Sequence, residues 1–361
     1  MKRSTPRILV SEHFQRFVKE SASGRRLSVS CKRIRAGTIA NYNYTLKLIT
    51  EFEARQDTPL RIQLLHRASI RTLHKERNYW ARFYHRFSAF LYKEKRYSDN
   101  YVINTFKTIK SFFNYLQTEK GFSVGNYHKT FRVSIQKTTP VVLQPEKLQF
   151  LITNKEFEDA LTIYLKRAKD IFVFGCTVAL RVSDLMNLKK KDLVYTGNEV
   201  YLKIVTQKTG SEVNIPLPAY ALAIVEKYRR KAGKYILPRL SVSNLNIQLK
   251  KLMERAGWDQ PLTKKISRQG RLVELKDRNG KSWRFHQHIT THSMRRTAIT
   301  TLLIMGVPEL LVRKISGHAP GSKEFYRYVG VAQDYMNQEV KMSYKKLVET
   351  DFHSKGENND Q

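Results

Sequence analysis

A mainly α-helical chain with a small β-hairpin, split into a helical first domain and a mixed α+β second, is the fold class that the sequence predicts. Three observations carry that expectation. Apolar residues recur at three- and four-residue steps through the first third of the chain. The periodicity fails between Phe122 and Pro145, and an alternation of apolar and polar residues follows from Val200. These patterns mark, in turn, helices with one buried face, a connection and paired strands. A length of 361 residues allows two domains, and 41% hydrophobic residues is enough for ordinary cores.

Residues 1–34 are basic and mixed, and are expected to form an N-terminal arm. Residues 35–122 predict a small, basic, all-helical domain. Ile39, Tyr42, Leu46, Ile49 and Phe52 form its first apolar stripe, and Trp80, Tyr84, Phe87 and Leu91 its second. The third, Val102, Phe106, Ile109, Phe113 and Leu116, is the clearest; Asp99 can cap that helix and Gly121 can end it. The aromatic residues suit a core better than base stacking. Arg82, Arg86, Lys107 and Lys110 lie on the opposite faces, where they could meet phosphates.

Residues 123–144, with Thr138, Thr139, Pro140 and several basic residues, read as a linker. The second domain is expected over residues 145–350. Residues 163–188 predict a helix interrupted near Gly175. Val200, Leu202 and Ile204 alternate, as do Val213, Ile215 and Leu217 beyond Thr209-Gly210-Ser211. That is a hairpin, with Lys208 beside its turn. A helix is expected over residues 291–305 and another after Pro308, which suits a first helical turn. Residues 351–361 are a polar tail, expected to fray.

Charge narrows the partner. Sixty-six Lys and Arg against 31 Asp and Glu give a net charge of +35, a surplus that calls for a polyanion. DNA or RNA fits better than a membrane, because no apolar run reaches the length of a span and no basic amphipathic helix adjoins a lipid anchor. The first residues lack a signal-peptide core. Two cysteines, Cys31 and Cys176, make neither a disulfide framework nor a zinc site. Cys176 sits in an apolar stretch and reads as a core residue, and a reducing cytoplasm is expected.

Four stretches set reactive side chains in otherwise structural surroundings. Arg181 follows a hydrophobic helix, and alone could be a surface arginine paired with Asp184. Lys208 at a hairpin tip could be merely solvated, reach a DNA groove, or donate a proton to a leaving group. His292 and Arg295 share one helical face; an imidazole beside a guanidinium is awkward unless an anion sits between them, although His292 alone could be a cap. Ile315-Ser316-Gly317-His318, with Tyr326 and Tyr328 just beyond, is the fourth.

Together these groups meet the needs of phosphodiester cleavage. Two arginines can grip the nonbridging oxygens. A histidine can hydrogen-bond or move a proton, and a lysine can protonate the leaving oxygen. A tyrosine can attack once nearby cations favour loss of its proton. No metal or other cofactor is expected, since guanidinium groups take over that role and carboxylates are not clustered as a two-metal nuclease needs. His286, His288 and Trp283 lie close by in sequence; the histidines read as groove or surface residues and the tryptophan as structural.

In order and content this set resembles the tyrosine recombinase (phage integrase) family. The family has an arginine in a first box, a lysine on a β-hairpin, a His-x-x-Arg helix, a Gly-His and a tyrosine soon after. Arg181 in Leu-Arg-Val-Ser-Asp-Leu matches the first arginine, and Asp184 the acidic residue that supports it. Lys208 in Gln-Lys-Thr-Gly matches the lysine, His292 and Arg295 the helix pair, and His318 the Gly-His. The likeness covers residues 145–346. Tyr326 falls one residue short of the usual spacing and Tyr328 one beyond. Phe325-Tyr326-Arg327-Tyr328-Val329 resembles members in which the tyrosine after the basic residue attacks, so Tyr328 is preferred; an extra residue in Ala319-Pro320-Gly321-Ser322 accounts for the spacing. Ala179 stands where many relatives carry glycine.

The resemblance implies a two-domain clamp on duplex DNA. Its first, helical core-binding domain would cover one face and its tyrosine recombinase catalytic domain the other. It implies cleavage through a 3′-phosphotyrosine, four protomers acting on paired sites, and integration or excision of a mobile element with room for an accessory directionality factor. A type IB topoisomerase, a catalytically silent DNA-binding protein on the same scaffold, and an RNA-binding protein remain the rivals; the last lacks recognised RNA-stacking motifs.

Overall fold

The computed structural model describes residues 7–136, 138–208, 210–277, 279–319 and 321–353, with side chains to residue 347. The polar tail from residue 354 onward lies outside them, as do Thr209 of the expected turn and Pro320. The fold is mainly α-helical with three small antiparallel sheets among the described residues. Two compact units divide it. The first runs to Thr138 and takes in Lys265–Glu274; the second holds Thr139–Lys264 and continues from Leu275.

In the first unit, β1 (Arg7–Leu9) leads into α1 (Val10–Ser23), followed by α2 (Ala36–Arg55), β2 (Arg61–Gln63), α3 (Ile70–Ala89) and α4 (Asp99–Asn114). β1 and β2 pair with Ile8 opposite Ile62. The stripes turn inward: Tyr42, Ile49 and Phe52 from α2, Trp80 and Phe87 from α3, and Val102, Phe106, Ile109 and Phe113 from α4 share one core. Residues 10–23 fall in the stretch expected as an arm, yet they form α1 and bury Val10, Phe14, Phe17 and Val18 in that core. The four-residue spacing of Val10, Phe14 and Val18 makes one apolar face, which the basic composition around it masks.

Asp99 does not cap α4. Ser98 occupies the N-cap position and makes no side-chain bond there, while the Asp99 carboxylate is buried. It accepts from Tyr92 Oη at 2.6 Å, from the Gln269 and Gly270 backbone N–H groups at 2.8 and 3.0 Å, and from Ser267 Oγ. A local pattern of capping residues carries no sign of a partner 168 positions away. The expected linker also packs: Val124 and Phe131 enter the first core and Leu143 the second.

The second unit begins with α5 (Pro145–Thr153), α6 (Lys155–Asp159), α7 (Ile163–Val178) and α8 (Val182–Leu185). Strands β3 (Leu193–Thr196), β4 (Glu199–Val205) and β5 (Glu212–Pro216) form a sheet in that order, with Leu202 of β4 between Leu193 and Ile215. The expected hairpin is β4–β5; β3 is an additional strand whose side chains are mostly exposed and so show no alternation of burial. Next come α9 (Ala219–Tyr228) and α10 (Val242–Arg255); β6 (Lys264–Arg268) and β7 (Arg271–Leu275) then fall almost wholly in the first unit, and α11 (Phe285–His288) resumes the second. The unit ends with α12 (Thr291–Ile304), α13 (Glu309–Ser316) and α14 (Phe325–His353). β6 and β7 form the hairpin that the first unit holds through Asp99. Its second strand is exposed along most of its length, so sequence alternation could not reveal it.

α7 is the spine of the second unit and packs against α10 and α12. Its Ile171, Phe172 and Phe174 are buried, each such side chain contributing roughly 1.5–3 kcal/mol. The helix runs unbroken through Gly175, where an interruption was expected. A Cβ at Gly175 would lie 2.5 Å from Met294 Sδ and 3.1 Å from Met294 Cβ, so the glycine marks where α12 presses close. The break comes at Ala179, whose φ of +54° is left-handed. A separate small core of Ala179, Ala298, Ile299, Val312, Phe325 and Tyr328 seats α12, α13 and α14 against the end of α7. Among the described residues, no helix is long and apolar enough to cross a membrane.

Candidate active site

The site grows out of the turn at Ala179. A left-handed conformation costs a non-glycine residue about 1–2 kcal/mol. Here it stops α7, places Arg181 at the N-cap of α8, and aims the Ala179 carbonyl at α12. Arg295 Nη1 donates to that carbonyl at 3.0 Å. Arg295 is 2% exposed. Burial, and then the neighbouring Arg181 charge, push it down to about 10. Arg181 Nη1 is buried without a hydrogen-bond partner. Among the described residues, neither guanidinium forms an ion pair with a carboxylate, so the Arg181–Asp184 pair considered from sequence is not made.

His318 arrives through a helix-ending turn that explains the Gly-His pair. Gly317 follows α13 with φ of +61°, and its N–H bonds Lys314 O at 3.2 Å. The His318 N–H reaches back to Arg313 O at 3.0 Å. This Schellman arrangement needs a residue tolerant of the left-handed region and turns the next side chain back along the helix. The His318 ring meets Arg295 Nη2 at 3.2 Å from Nε2 and 3.3 Å from Nδ1. Ser316 Oγ lies 2.8 Å from Nδ1. Burial, then Arg295, Arg181 and Arg313, push His318 down to about 3.

His292 stands one turn before Arg295 at the start of α12. The helix start is closed by Ser293, whose Oγ accepts from the Thr290 N–H at 3.1 Å, so His292 is not needed as a cap. The His292 side chain opens to solvent at the site's edge. Desolvation by the protein around it, then Arg296 and Arg295, push it down to about 4. Both imidazoles are therefore neutral at neutral pH.

The two tyrosines differ sharply although both lie in the first turn of α14. Tyr328 is 6% exposed, and its ring centroid is 6.0 Å from that of His318. Its hydroxyl also interacts electrostatically with Arg295. Tyr326 is 54% exposed and lies under the Arg313 guanidinium, 4.9 Å from its ring centroid. Arg313 is held in turn by Glu309, 2.9 Å from its Nε.

Asp184 is buried, and its Oδ1 accepts from the Gln207 N–H at 3.0 Å. That bond ties the β4–β5 turn to α8, beside Arg181. Lys208 is the next residue and is exposed on the turn. His286 and His288 are not surface groups: His286 is buried, and His288 Nε2 bonds Leu262 O at 2.7 Å. The Trp283 ring carries the Lys264 ammonium 3.6 Å from its centroid. Cys176 is buried, and burial pushes its thiol up. Among the described residues, no group of three or more His, Cys, Asp or Glu side chains could hold a metal ion.

The structure thus brings Arg181, His292, Arg295, His318 and Tyr328 together and sets Lys208 on a turn anchored to the same corner. Sequence reasoning missed Ser316 and Arg313, which touch His318 and Tyr326; their place on the last turn before Gly-His was the available signal. The two guanidiniums, without a paired carboxylate, repel one another until an anion arrives, and the two neutral imidazoles beside them add hydrogen-bonding nitrogens. Such a cluster suits a tetrahedral oxyanion with several oxygens to be gripped at once.

Residues 143–334 match the model of the phage integrase family, more than half of the chain. The chain belongs to this family, the tyrosine recombinases. Arg181, Lys208, His292, Arg295, His318 and Tyr328 all fall inside the matched span. The tyrosine recombinase XerA of Pyrococcus furiosus is 26% identical over 188 residues, 51% of this chain and 56% of the relative. Tyrosine recombinase XerC of Oceanobacillus iheyensis is 24% identical over 255 residues, 70% of this chain and 76% of its own. The chain spans little more than half the length of two of the curated relatives that it matches. Among solved structures, a lambda integrase dimer bound to a COC′ core site superposes with a TM-score of 0.59 at 16% identity, over 90% of this chain and 78% of that one. The Tn1549 transposon integrase in complex with circular intermediate DNA gives 0.55 at 13% identity, over 89% and 95%. At these identities the recombinase likeness is one of fold.

Proposed function

We propose that this tyrosine recombinase is a site-specific DNA recombinase that cuts and rejoins strands through a 3′-phosphotyrosine at Tyr328. The convergence of Arg181 and Arg295 with two neutral imidazoles beside the buried Tyr328 ring supports this most. The arginines grip the nonbridging oxygens of the scissile phosphate, and negative charge grows there as attack proceeds. Tyr328 Oη forms a bond to phosphorus while its proton passes to a neutral imidazole of His292 or His318. The bond to the 5′-oxygen breaks, and Lys208 protonates that oxygen. The reverse attack by a 5′-hydroxyl restores the backbone and frees the tyrosine. The scheme draws on no metal ion and no ATP.

Duplex DNA is the proposed partner, with the two units as halves of a clamp. The net charge of +35 supports this, and binding should weaken steeply with salt. Four copies on paired sites, with an accessory directionality factor, would carry out two rounds of exchange to integrate or excise a mobile element. Val340, Met342 and Tyr344 are exposed on the far part of α14 and offer a surface for a neighbouring copy.

A duplex nicked near the cleavage site traps the covalent intermediate for denaturing gels and peptide mapping. Tyr328→Phe should abolish the adduct and leave DNA affinity within about twofold, while Tyr326→Phe and added chelator should leave the adduct intact. An adduct mapped to Tyr326, or none with the unmodified chain, overturns the reading.

A further inference from the structure

We propose that Ser316 is a positioning residue for His318: its hydroxyl accepts from Nδ1–H, which leaves Nε2 as the nitrogen presented to the scissile phosphate. This rests on the recombinase reading for its consequence, though not for its geometry.

Ser316 is fully buried at the end of α13. Its hydroxyl has one proton to give. Val312 O lies 2.7 Å from Oγ and Arg313 O 3.3 Å away, and both are acceptors only. The proton must point at one of these carbonyls, since an oxygen pair at 2.7 Å without a proton between them is repulsive. Oγ therefore meets His318 Nδ1, 2.8 Å away, as an acceptor, and Nδ1 carries the ring's hydrogen. Arg295 Nη2 can only donate, and it lies 3.2 Å from Nε2 and 3.3 Å from Nδ1, so by itself it does not choose between the two nitrogens. With Nδ1–H turned to Ser316, the Nε2 lone pair is the one left to accept from the guanidinium.

Which nitrogen of a histidine is free is set by the bond that the other makes. With Nδ1 held by Ser316, a flip or change of tautomer would lose the Nδ1–H bond and set a ring lone pair or C–H against the Ser316 oxygen. Nε2 stays next to Arg295, where it can take a proton in the free site or, once protonated, donate to a phosphate oxygen. His318 is neutral at neutral pH, so its tautomer can be observed directly.

The test uses the full chain without DNA, then with the nicked duplex. Long-range ¹⁵N–¹H spectra at pH 7, with the His318 signal identified from His318→Gln, should show the Nδ1–H tautomer in the unmodified protein. Ser316→Ala should give a mixed or Nε2–H pattern. Single-turnover cleavage should fall about tenfold in Ser316→Ala with DNA affinity within twofold, and Ser316→Thr, which keeps the hydroxyl, should recover both tautomer and rate. Thermal unfolding of each variant identifies any that fails to fold, in which case Ser316→Cys replaces it. An Nε2–H ring in the unmodified protein, or an unchanged tautomer and rate in Ser316→Ala, overturns the proposal. Absence of any covalent adduct in the unmodified protein would instead overturn the recombinase reading, and the tautomer result would stand by itself.

Discussion

Asp99 in the first unit and Arg295 in the second are both buried charges, and their surroundings treat them in opposite ways. Asp99 is met by two hydroxyls and two backbone N–H groups. Burial opposes its ionisation, but these donors outweigh it and hold the carboxyl below its ordinary value. Glu76 is also surrounded by donors, accepting from Trp80 Nε1, Gln63 N–H and Arg61 Nη1 at 2.9 Å each. Arg295 has one carbonyl and a neutral imidazole, and the charge that acts on it most strongly, that of Arg181, repels it. A charge that folding satisfies in full holds structure together. A charge left short of partners at some cost in stability is what a ligand of opposite sign can use.

The largest test of this contrast is Arg295→Lys. An ammonium keeps the charge and loses the planar fork, so single-turnover cleavage of the nicked duplex should drop about a thousandfold. The melting temperature of the free protein should change little, because the buried positive charge and a donor for the Ala179 carbonyl are both kept. A fall in stability comparable to the loss of a core residue would break the comparison.

Asp99→Ala should do the reverse. Four donors would lose their acceptor, and chemical denaturation should show a loss of about 3 kcal/mol. The catalytic cluster is untouched, so the cleavage rate per folded molecule should change by less than about threefold.

Acid offers the finest discrimination. His292 and His318 are pushed down to about 4 and 3, and His128, in the first unit, to about 4. The unfolded chain takes up protons near the ordinary imidazole value of 6.5 and the folded one does not. Their contribution is thus present above pH 6.5 and is lost as pH falls through 6.5 toward 4 and 3. His128 is depressed by burial first and then by Lys129, and its Nε2 contacts Asn114 Oδ1 at 3.1 Å. An oligonucleotide duplex should raise the titration points of His292 and His318, because its phosphate offsets the arginines, and leave that of His128 in place. Proton NMR of the three imidazoles reads this out; equal shifts in all three would remove the distinction between the histidines of the site and that of the first core.

Much of the site was legible in the sequence because its residues sit at points where local rules are strict. Gly317 must end α13 in a left-handed turn, and that turn delivers His318. His292 and Arg295 share a face because a helix repeats. Other features were not legible. Asp99 looked like a cap from its neighbours, but its donors lie on a hairpin that sequence alternation could not reveal. Gly175 looked like a break, but it is a clearance for Met294. The basic setting of residues 10–23 hid a helix whose phenylalanines lie at zero exposure.

By itself the sequence determined the helical and strand periods, the surplus of positive charge, and the order of the arginine, lysine, histidine and tyrosine boxes. These depend on neighbours within a few residues, where backbone geometry is nearly universal. Only the tertiary structure decided that Tyr328 rather than Tyr326 faces His318, that Arg181 has no carboxylate partner, and which hydroxyl holds Nδ1. Those outcomes depend on which distant segments share a core, and free energy of that kind belongs to the packed chain as a whole.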